Sequence, residues 1–190
     1  MRAYFFYPLV VLAAAAAICS SLGPGLFPIE PGPQAGLQAQ NALVFTAPAL
    51  ARMEVPETQV SYISRDDYWR PSGMQIATKR TRLEPSPADT GARLVLDPAQ
   101  AQALAGKPLL VKVKVRPLPY TNASTLAVSA QSPGPTNWSM QKLPSDPASL
   151  SFHFPAVEGT APQAIGFWPI TTNSDYDYGV EILEVRVSAE

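Results

Sequence analysis

The chain has 190 residues, a formal net charge of −1 and a charged fraction of 15%, which fits one domain with a short appendage and excludes an overall electrostatic field that would recruit nucleic acid. Its 21 prolines are spread along the chain and favour short strands joined by turns over long helices. The single cysteine (Cys19) and the single histidine (His153) exclude an internal disulfide, a thiolate metal cluster and a zinc site that needs several imidazoles. No cofactor is expected.

The N-terminal segment, residues 1–22, has no charge after Arg2. Its apolar part, residues 3–22, is long enough to cross a bilayer and opens on the aromatic cluster "YFFY". We expect a single transmembrane signal anchor that contacts the cell membrane, with a cleaved signal peptide and a lipid anchor on Cys19 as alternatives. In all three cases the rest of the chain is translocated, because no Lys or Arg follows until Arg52. In a bacterium this predicts an inner-membrane protein whose C-terminal domain is periplasmic.

Residues 23–57 are rich in Pro, Gly, Ala and Gln without periodicity, and they predict a spacer and entry segment. Beyond them, "LLVKVKVRPL" alternates strictly, with its valines on one face and its cations on the other. In "GVEILEVRVSAE" the apolar residues change face near Ile182–Leu183, which predicts a bulge there. The other runs that predict strands are "TQVSYIS", "GMQIAT", "RLVLD", "TLAVSA", "NWSMQKL", "SLSFHFPAV" and "AIGFWPI".

A short helix is predicted at "DPAQAQALAG", where Asp97 can cap the first turn, Pro98 occupies the first helical position and Gly106 can end the helix. Eight or nine short strands separated by turns, with one helix, are typical of an antiparallel β-sandwich of the jelly-roll kind. We expect this all-β domain to span residues 58–190.

The order "LAGKPLLVKVKVRPLP", "TLAVSAQ", "NWSMQKL", "LSFHFPA" and "AIGFWPI…YGVEILEVRV" resembles galactose-binding-like jelly-roll domains, which many carbohydrate-binding modules share. The resemblance covers about residue 58 to the end of the chain and includes the pattern of the last strand. It implies a binding module rather than an enzyme. Because that superfamily binds sugars, phospholipids or proteins, the resemblance leaves the ligand class open.

The stretch "SRDDYWRPSG" holds the best mixture of polar and aromatic side chains in the chain. Sugar-binding surfaces use aromatic faces for stacking and charged or amide groups for hydroxyls. We therefore predict a ligand-binding surface on this loop, joined by two tyrosines of "NSDYDYG". The predicted residues are Arg65, Asp66, Asp67, Tyr68, Trp69, Arg70, Tyr176 and Tyr178. Trp138 and Trp168 are expected in the core.

The loop "TTNSDYDYG" also places Asn173, Asp175 and Asp177 at alternate positions, as in calcium loops. They are weak candidates for a metal, because the sixth position lacks glycine and the twelfth, Glu184, falls in a predicted strand. We expect a polar turn with no metal, in which Gly179 supplies backbone freedom. If this loop binds a ligand, it should act together with "RDDYWR".

Catalysis has little support in the sequence. A Ser–His–Asp unit would need His153, which alternates with phenylalanines in a predicted strand. Two functions therefore stay open. The first is a membrane-tethered, non-catalytic module that contacts a cell-envelope polysaccharide; the second is an interaction or scaffold domain that docks an envelope protein. Exposed aromatics beside Asp and Arg on one loop favour the first, and a flat apolar patch over a sheet favours the second.

Overall fold

The computed structural model describes residues 37–39, 42–79, 87, 89–134, 136–157, 159–171 and 175–190. Among these residues there are eleven strands and two short helices. The strands are β1 (Leu37–Ala39), β2 (Ala42–Thr46), β3 (Gln59–Arg65), β4 (Pro71–Thr78), β5 (Ala92–Val95), β6 (Leu109–Arg116), β7 (Thr125–Gln131), β8 (Trp138–Lys142), β9 (Ala148–Phe154), β10 (Ala164–Ile170) and β11 (Tyr178–Ala189). The helices are α1 (Ala47–Leu50) and α2 (Pro98–Leu104).

The strands form two antiparallel sheets that pack face to face. The small sheet has the order β5-β10-β7-β8. In the seven-stranded large sheet, β11 is central. On one side it pairs with β6, which pairs in turn with β9. On the other side its first half pairs with β4 and its second half with β2; β3 lies beyond β4, and β1 lies beyond β2. Inward side chains of both sheets, such as Val113 of β6 and Phe167 of β10, belong to one buried cluster. The predicted antiparallel β-sandwich is confirmed.

The alternation of β6 is confirmed, since its three valines are fully buried while Lys112, Lys114 and Arg116 are exposed. The bulge in β11 is confirmed as well, because the register with β6 shifts between Ile182 and Glu184. The extra residue, Leu183, changes which face the chain presents. For that reason Glu181, before the bulge, and Glu184, after it, both face outward.

Helix α2 begins as predicted. Asp97 accepts a hydrogen bond from the backbone N of Gln100 at 2.8 Å, and the Gln100 side chain accepts one from the backbone N of Asp97 at 3.1 Å. This capping box pairs two backbone N–H groups at the start of the helix, where no preceding turn supplies a carbonyl acceptor.

The strand count of eight or nine and the single helix are corrected, because β1, β2 and α1 were not predicted. The sandwich includes residues upstream of residue 58, where the sequence indicated an entry segment. Strand β2 contributes Leu43 and Phe45 to the main buried cluster, which is too short a pattern to separate a strand from a loop. It is a strand because it pairs with the C-terminal half of β11.

In the part of the chain that the structure describes, no helix is long and apolar enough to span a membrane. The predicted anchor, residues 1–22, lies outside the described residues, and so do residues 23–36, 40 and 41 of the predicted spacer and entry segment.

Candidate functional site

The predicted polar-aromatic loop is the tip of the β3–β4 hairpin. The backbone N of Asp66 donates to the carbonyl of Arg70, and the backbone N of Trp69 donates to the carbonyl of Asp66, both at 2.9 Å. The first bond closes the hairpin, and the second makes residues 66–69 a tight turn. The fourth residue of that turn, Trp69, has a φ of 61°. Hairpins of this kind usually place glycine there, because glycine adopts the left-handed conformation without steric cost.

Trp69 is thus held in a conformation that is unfavourable for any residue with a Cβ. It is the sole residue other than glycine with positive φ among those described, and such a conformation costs on the order of 1–2 kcal/mol. Its side chain does not recover this cost by burial, since Trp69 is 78% exposed. Strain of this kind at an exposed aromatic residue is typical of a functional position.

Hydrogen bonds fix the backbone of the tip. One carboxylate oxygen of Asp66 accepts from the backbone N of Tyr68 at 2.9 Å and of Arg70 at 2.8 Å. Arg65 donates through Nη1 to the carbonyl of Trp69 at 2.8 Å, and the guanidinium carbon of Arg70 lies 5.7 Å from the centre of the Tyr68 ring. The aromatic rings are therefore carried by an ordered tip, which lowers the entropy lost when they bind a ligand.

The structure brings together all six hairpin residues predicted to bind a ligand, which are Arg65, Asp66, Asp67, Tyr68, Trp69 and Arg70. All six are exposed. Tyr68 matches Trp69 at 78% exposure. Their arrangement offers two apolar ring faces beside two cations and two carboxylates, which suits a ligand with both apolar faces and hydroxyl groups.

The two predicted tyrosines of the other loop lie where the chain enters β11. Tyr176 is exposed and Tyr178 is half-buried, with ring centres 6.4 Å apart. Of the weak metal candidates, Asp175 and Asp177 are exposed, and Asn173 lies outside the described residues. No group of three His, Cys, Asp or Glu is placed to hold a metal within the described ranges.

The structure does not bring these two loops together, as the expectation that they act together would require. Tyr178 pairs with Thr78 at the end of β4, whereas the hairpin tip precedes Pro71 at the start of β4. A strand rises about 3.3 Å per residue, so the loops are roughly 20 Å apart at opposite ends of the strand.

The expectation that Gly179 supplies backbone freedom is also wrong. Gly179 is not among the residues with positive φ. A Cβ at this position would lie 2.2 Å from the carbonyl oxygen of Ile76 and 2.7 Å from the Cβ of Ala77. Glycine is therefore needed for the close approach of β11 to β4.

Sequence reasoning missed a polar network on the outward face of the large sheet. Gln75 donates through Nε2 to Ser64 Oγ at 3.0 Å, and the Ser64 hydroxyl bonds to the carboxylate of Glu181. Arg116 donates to the same carboxylate through Nε at 2.5 Å and Nη2 at 2.8 Å. Exposed Tyr62 lies on β3 opposite Gln75 in this row. The network joins β3, β4, β11 and β6.

The charge states in this network follow from its contacts. Burial by itself raises the pKa of Glu181, but hydrogen bonds from Arg116 and Ser64 and the charge of Arg116 outweigh it and hold the pKa below its ordinary value. The hydrogen bond to Glu181 raises the pKa of Arg116 against the opposing effect of burial. The pair is therefore ionised on both sides at neutral pH.

The tryptophans expected in the core differ in their surroundings. Trp168 is buried, but on the outward side of the small sheet with Ala127 and Ile170, and its Nε1 has no hydrogen-bond partner among the residues that the structure describes. Trp138 is partly buried and packs against this second cluster. His153 faces outward on β9, with Nδ1 3.1 Å from a carboxylate oxygen of Glu190.

The chain matches no known protein family and no curated protein. Among solved structures it is similar to one described as "BiXyn10A CBM1 APO", at 14% identity and a TM-score of 0.47, over 73% of this chain and 88% of that one. It is also similar to a carbohydrate-binding module of Cellvibrio mixtus lichenase 5A in complex with cellotriose, at 11% identity and a TM-score of 0.40, over 77% of this chain and 96% of that one. Likenesses of this size assign neither a family nor a ligand to the chain.

Proposed function

We propose that this protein is a membrane-tethered, non-catalytic module of the galactose-binding-like jelly-roll kind that contacts carbohydrate of the cell envelope. Residues 3–22 would anchor it in the inner membrane, with the sandwich in the periplasm. The β3–β4 hairpin would carry the contact, with Tyr68 and Trp69 stacking on sugar rings. Asp66, Asp67 and the arginines beside them would bond to hydroxyl groups.

The observation that carries this proposal is the strained and exposed Trp69 at an ordered hairpin tip. A tip whose only task was to reverse the chain would be more stable with glycine at this position. The tryptophan instead costs stability and leaves a large apolar surface in water. Both costs are explained if the ring is covered when a ligand binds.

The protein-docking alternative is less well supported. A protein-docking domain would be expected to present a flat apolar patch over one sheet face. The outward face of β6 and β11 carries charged side chains instead, among them Lys112, Lys114 and Arg186. Exposed aromatic residues beside Asp and Arg on one hairpin are the arrangement expected for a glycan contact.

The test is retention of the purified full-length chain by polysaccharides, in a detergent without a sugar headgroup. Native gels would contain dextran, β-glucan, xylan or alginate. We expect at least one polymer to retard the protein, and Trp69→Ala and Tyr68→Ala each to weaken its association constant by about tenfold or more.

The matched control is Tyr120→Ala, because Tyr120 is 93% exposed and lies in the loop between β6 and β7, away from the hairpin. This variant should bind as the unmodified chain does. If every polymer leaves the protein unretarded, or if the hairpin variants bind normally, the proposed function is wrong.

Tethering is tested separately by fractionation. The full-length protein should stay with the membrane through carbonate and high-salt washes. Recovery of a shortened soluble form would replace the anchor with a cleaved signal peptide.

A further inference from the structure

Strand β6 presents a line of three cations on the outward face of the large sheet. Lys112, Lys114 and Arg116 alternate with buried valines, and we call these three side chains the basic track. Residues two apart on a strand are separated by about 6.6 Å, so the track is roughly 13 Å long. The net charge of the whole chain is −1, so this positive surface is a local feature.

The carboxylates beside the basic track are already bound to other partners. Glu181 is bound to Arg116 through two hydrogen bonds. Glu184 lies directly across from Lys114 in the ladder, but its Oε1 is 2.5 Å from Nε of Arg186. No ion pair among the described residues includes Lys112 or Lys114. Within the described part of the chain, these two ammonium groups are therefore left without an ion-pair partner.

The other neighbours of the basic track are hydrogen-bonding groups. On β9, Ser151 lies beside Lys112 and Ser149 beside Lys114. Arg116 uses two of its five N–H groups for Glu181, which leaves three donors on a side chain that is 48% exposed. The carboxylate holds the guanidinium in one orientation, so these donors are preorganised.

We propose that the basic track binds an anionic polysaccharide, such as a uronate polymer, lying across β9, β6 and β11. This inference rests on the proposed carbohydrate-binding function and adds the charge class of the ligand. The ammonium groups would bind carboxylate or sulfate groups of the polymer. The serine hydroxyls and the remaining donors of Arg116 would bond to its hydroxyl groups.

The surroundings of the track favour a polysaccharide over a lipid surface. Proteins that lie on anionic membranes combine basic residues with apolar side chains that enter the bilayer. The exposed large apolar residues of the described chain, which include Tyr62 on β3 and Met140 on β8, do not occur on β6, β9 or β11. Apart from the half-buried Leu110 and Leu183, this face therefore carries charged and polar side chains.

The experiment measures association of the full-length protein with alginate, a uronate polymer, and with dextran, a neutral one, in native gels. The test variant is Lys112→Gln/Lys114→Gln, which removes two exposed positive charges and leaves the buried packing of β6 unchanged. Its association constant for alginate should fall about fivefold, as expected for the loss of two exposed charge pairs. Binding of the unmodified chain should also weaken as sodium chloride is raised, because salt screens exposed charges.

The matched control is Lys107→Gln/Lys142→Gln, which makes the same change in net charge away from the track and therefore the same change in gel mobility. It should bind alginate as the unmodified chain does. Equal binding by test and control variants would overturn the inference, and so would retention by dextran alone.

Trp69→Ala, run in the same gels, separates the two proposals. If Trp69→Ala abolishes retention while Lys112→Gln/Lys114→Gln has no effect, the proposed function stands and the basic track is not a site. If phosphatidylglycerol vesicles bind the protein in a track-dependent way and alginate does not, the ligand is a membrane surface and the polysaccharide assignment is wrong. If nothing binds, both proposals fail.

Discussion

Arg116 on β6 and Glu181 on β11 are joined by two hydrogen bonds of 2.5 and 2.8 Å. Glu181 faces outward yet is only 3% exposed. Its carboxylate lies over β4 because Gly73 has no side chain there: a Cβ at Gly73 would be 2.8 Å from Oε1 of Glu181. The pair sits next to the bulge at Leu183, so it ties β6, β11 and β4 together where the ladder is interrupted.

Removing Arg116 should leave a buried carboxylate without its main partner. We expect Arg116→Ala to lower the free energy of unfolding by about 1–3 kcal/mol, the usual cost of an unsatisfied buried polar group. Urea denaturation measures it. In a double-mutant cycle, the loss in Arg116→Ala should be smaller when Glu181 is already replaced by glutamine. Strictly additive losses would show that the two side chains do not stabilise each other.

The same pair should make stability depend on pH. The pKa of Glu181 is held below its ordinary value of 4.5, since burial, which raises it, is outweighed by hydrogen bonds from Arg116 and Ser64. A carboxylate with a lowered native pKa stabilises the fold above its unfolded pKa, and that contribution is lost as pH falls through the native value. The stability difference between the unmodified protein and Glu181→Gln should thus be constant near neutral pH and shrink below about pH 4.5. A difference that grows on acidification would contradict this assignment.

We expect Trp69 to lower the stability of the fold through its strained backbone while its ring contributes to ligand binding. Replacing it with glycine relieves the positive φ, whereas alanine keeps the strain. Trp69→Gly is therefore expected to be more stable than Trp69→Ala by about 1 kcal/mol, as measured by denaturant unfolding. Both variants should bind polysaccharide equally weakly, since both lack the ring. If alanine is as stable as glycine at this position, the hairpin tip is not strained.

The loop before β11 should not bind calcium. Adding millimolar calcium, or a chelator, is expected to leave the melting temperature unchanged, because a bound ion would stabilise the fold by mass action. A rise of several degrees that disappears in Asp175→Ala/Asp177→Ala would show that this turn is a metal site.

The local features of the fold could be predicted from the sequence. The two-residue period of β6, the change of face in β11 and the cap at Asp97 each depend on residues close together in the chain. Their physical causes, burial of alternate side chains and pairing of the first amides of a helix, act over a few residues. The hairpin of Tyr68 and Trp69 was also recognisable, because its charged and aromatic residues are contiguous.

Tertiary structure alone decided the rest. Hydrophobic period tells which side chains face inward, but it does not tell which strand pairs with which. Pairing of β11 with β4, β2 and β6 made a strand of Ala42–Thr46, separated the two predicted loops to opposite ends of β4, and brought Arg116 to Glu181, which is 65 residues away in the chain. The left-handed conformation of Trp69 also comes from tertiary structure. Closure of the β3–β4 hairpin imposes a positive φ on a residue that by itself prefers a negative φ.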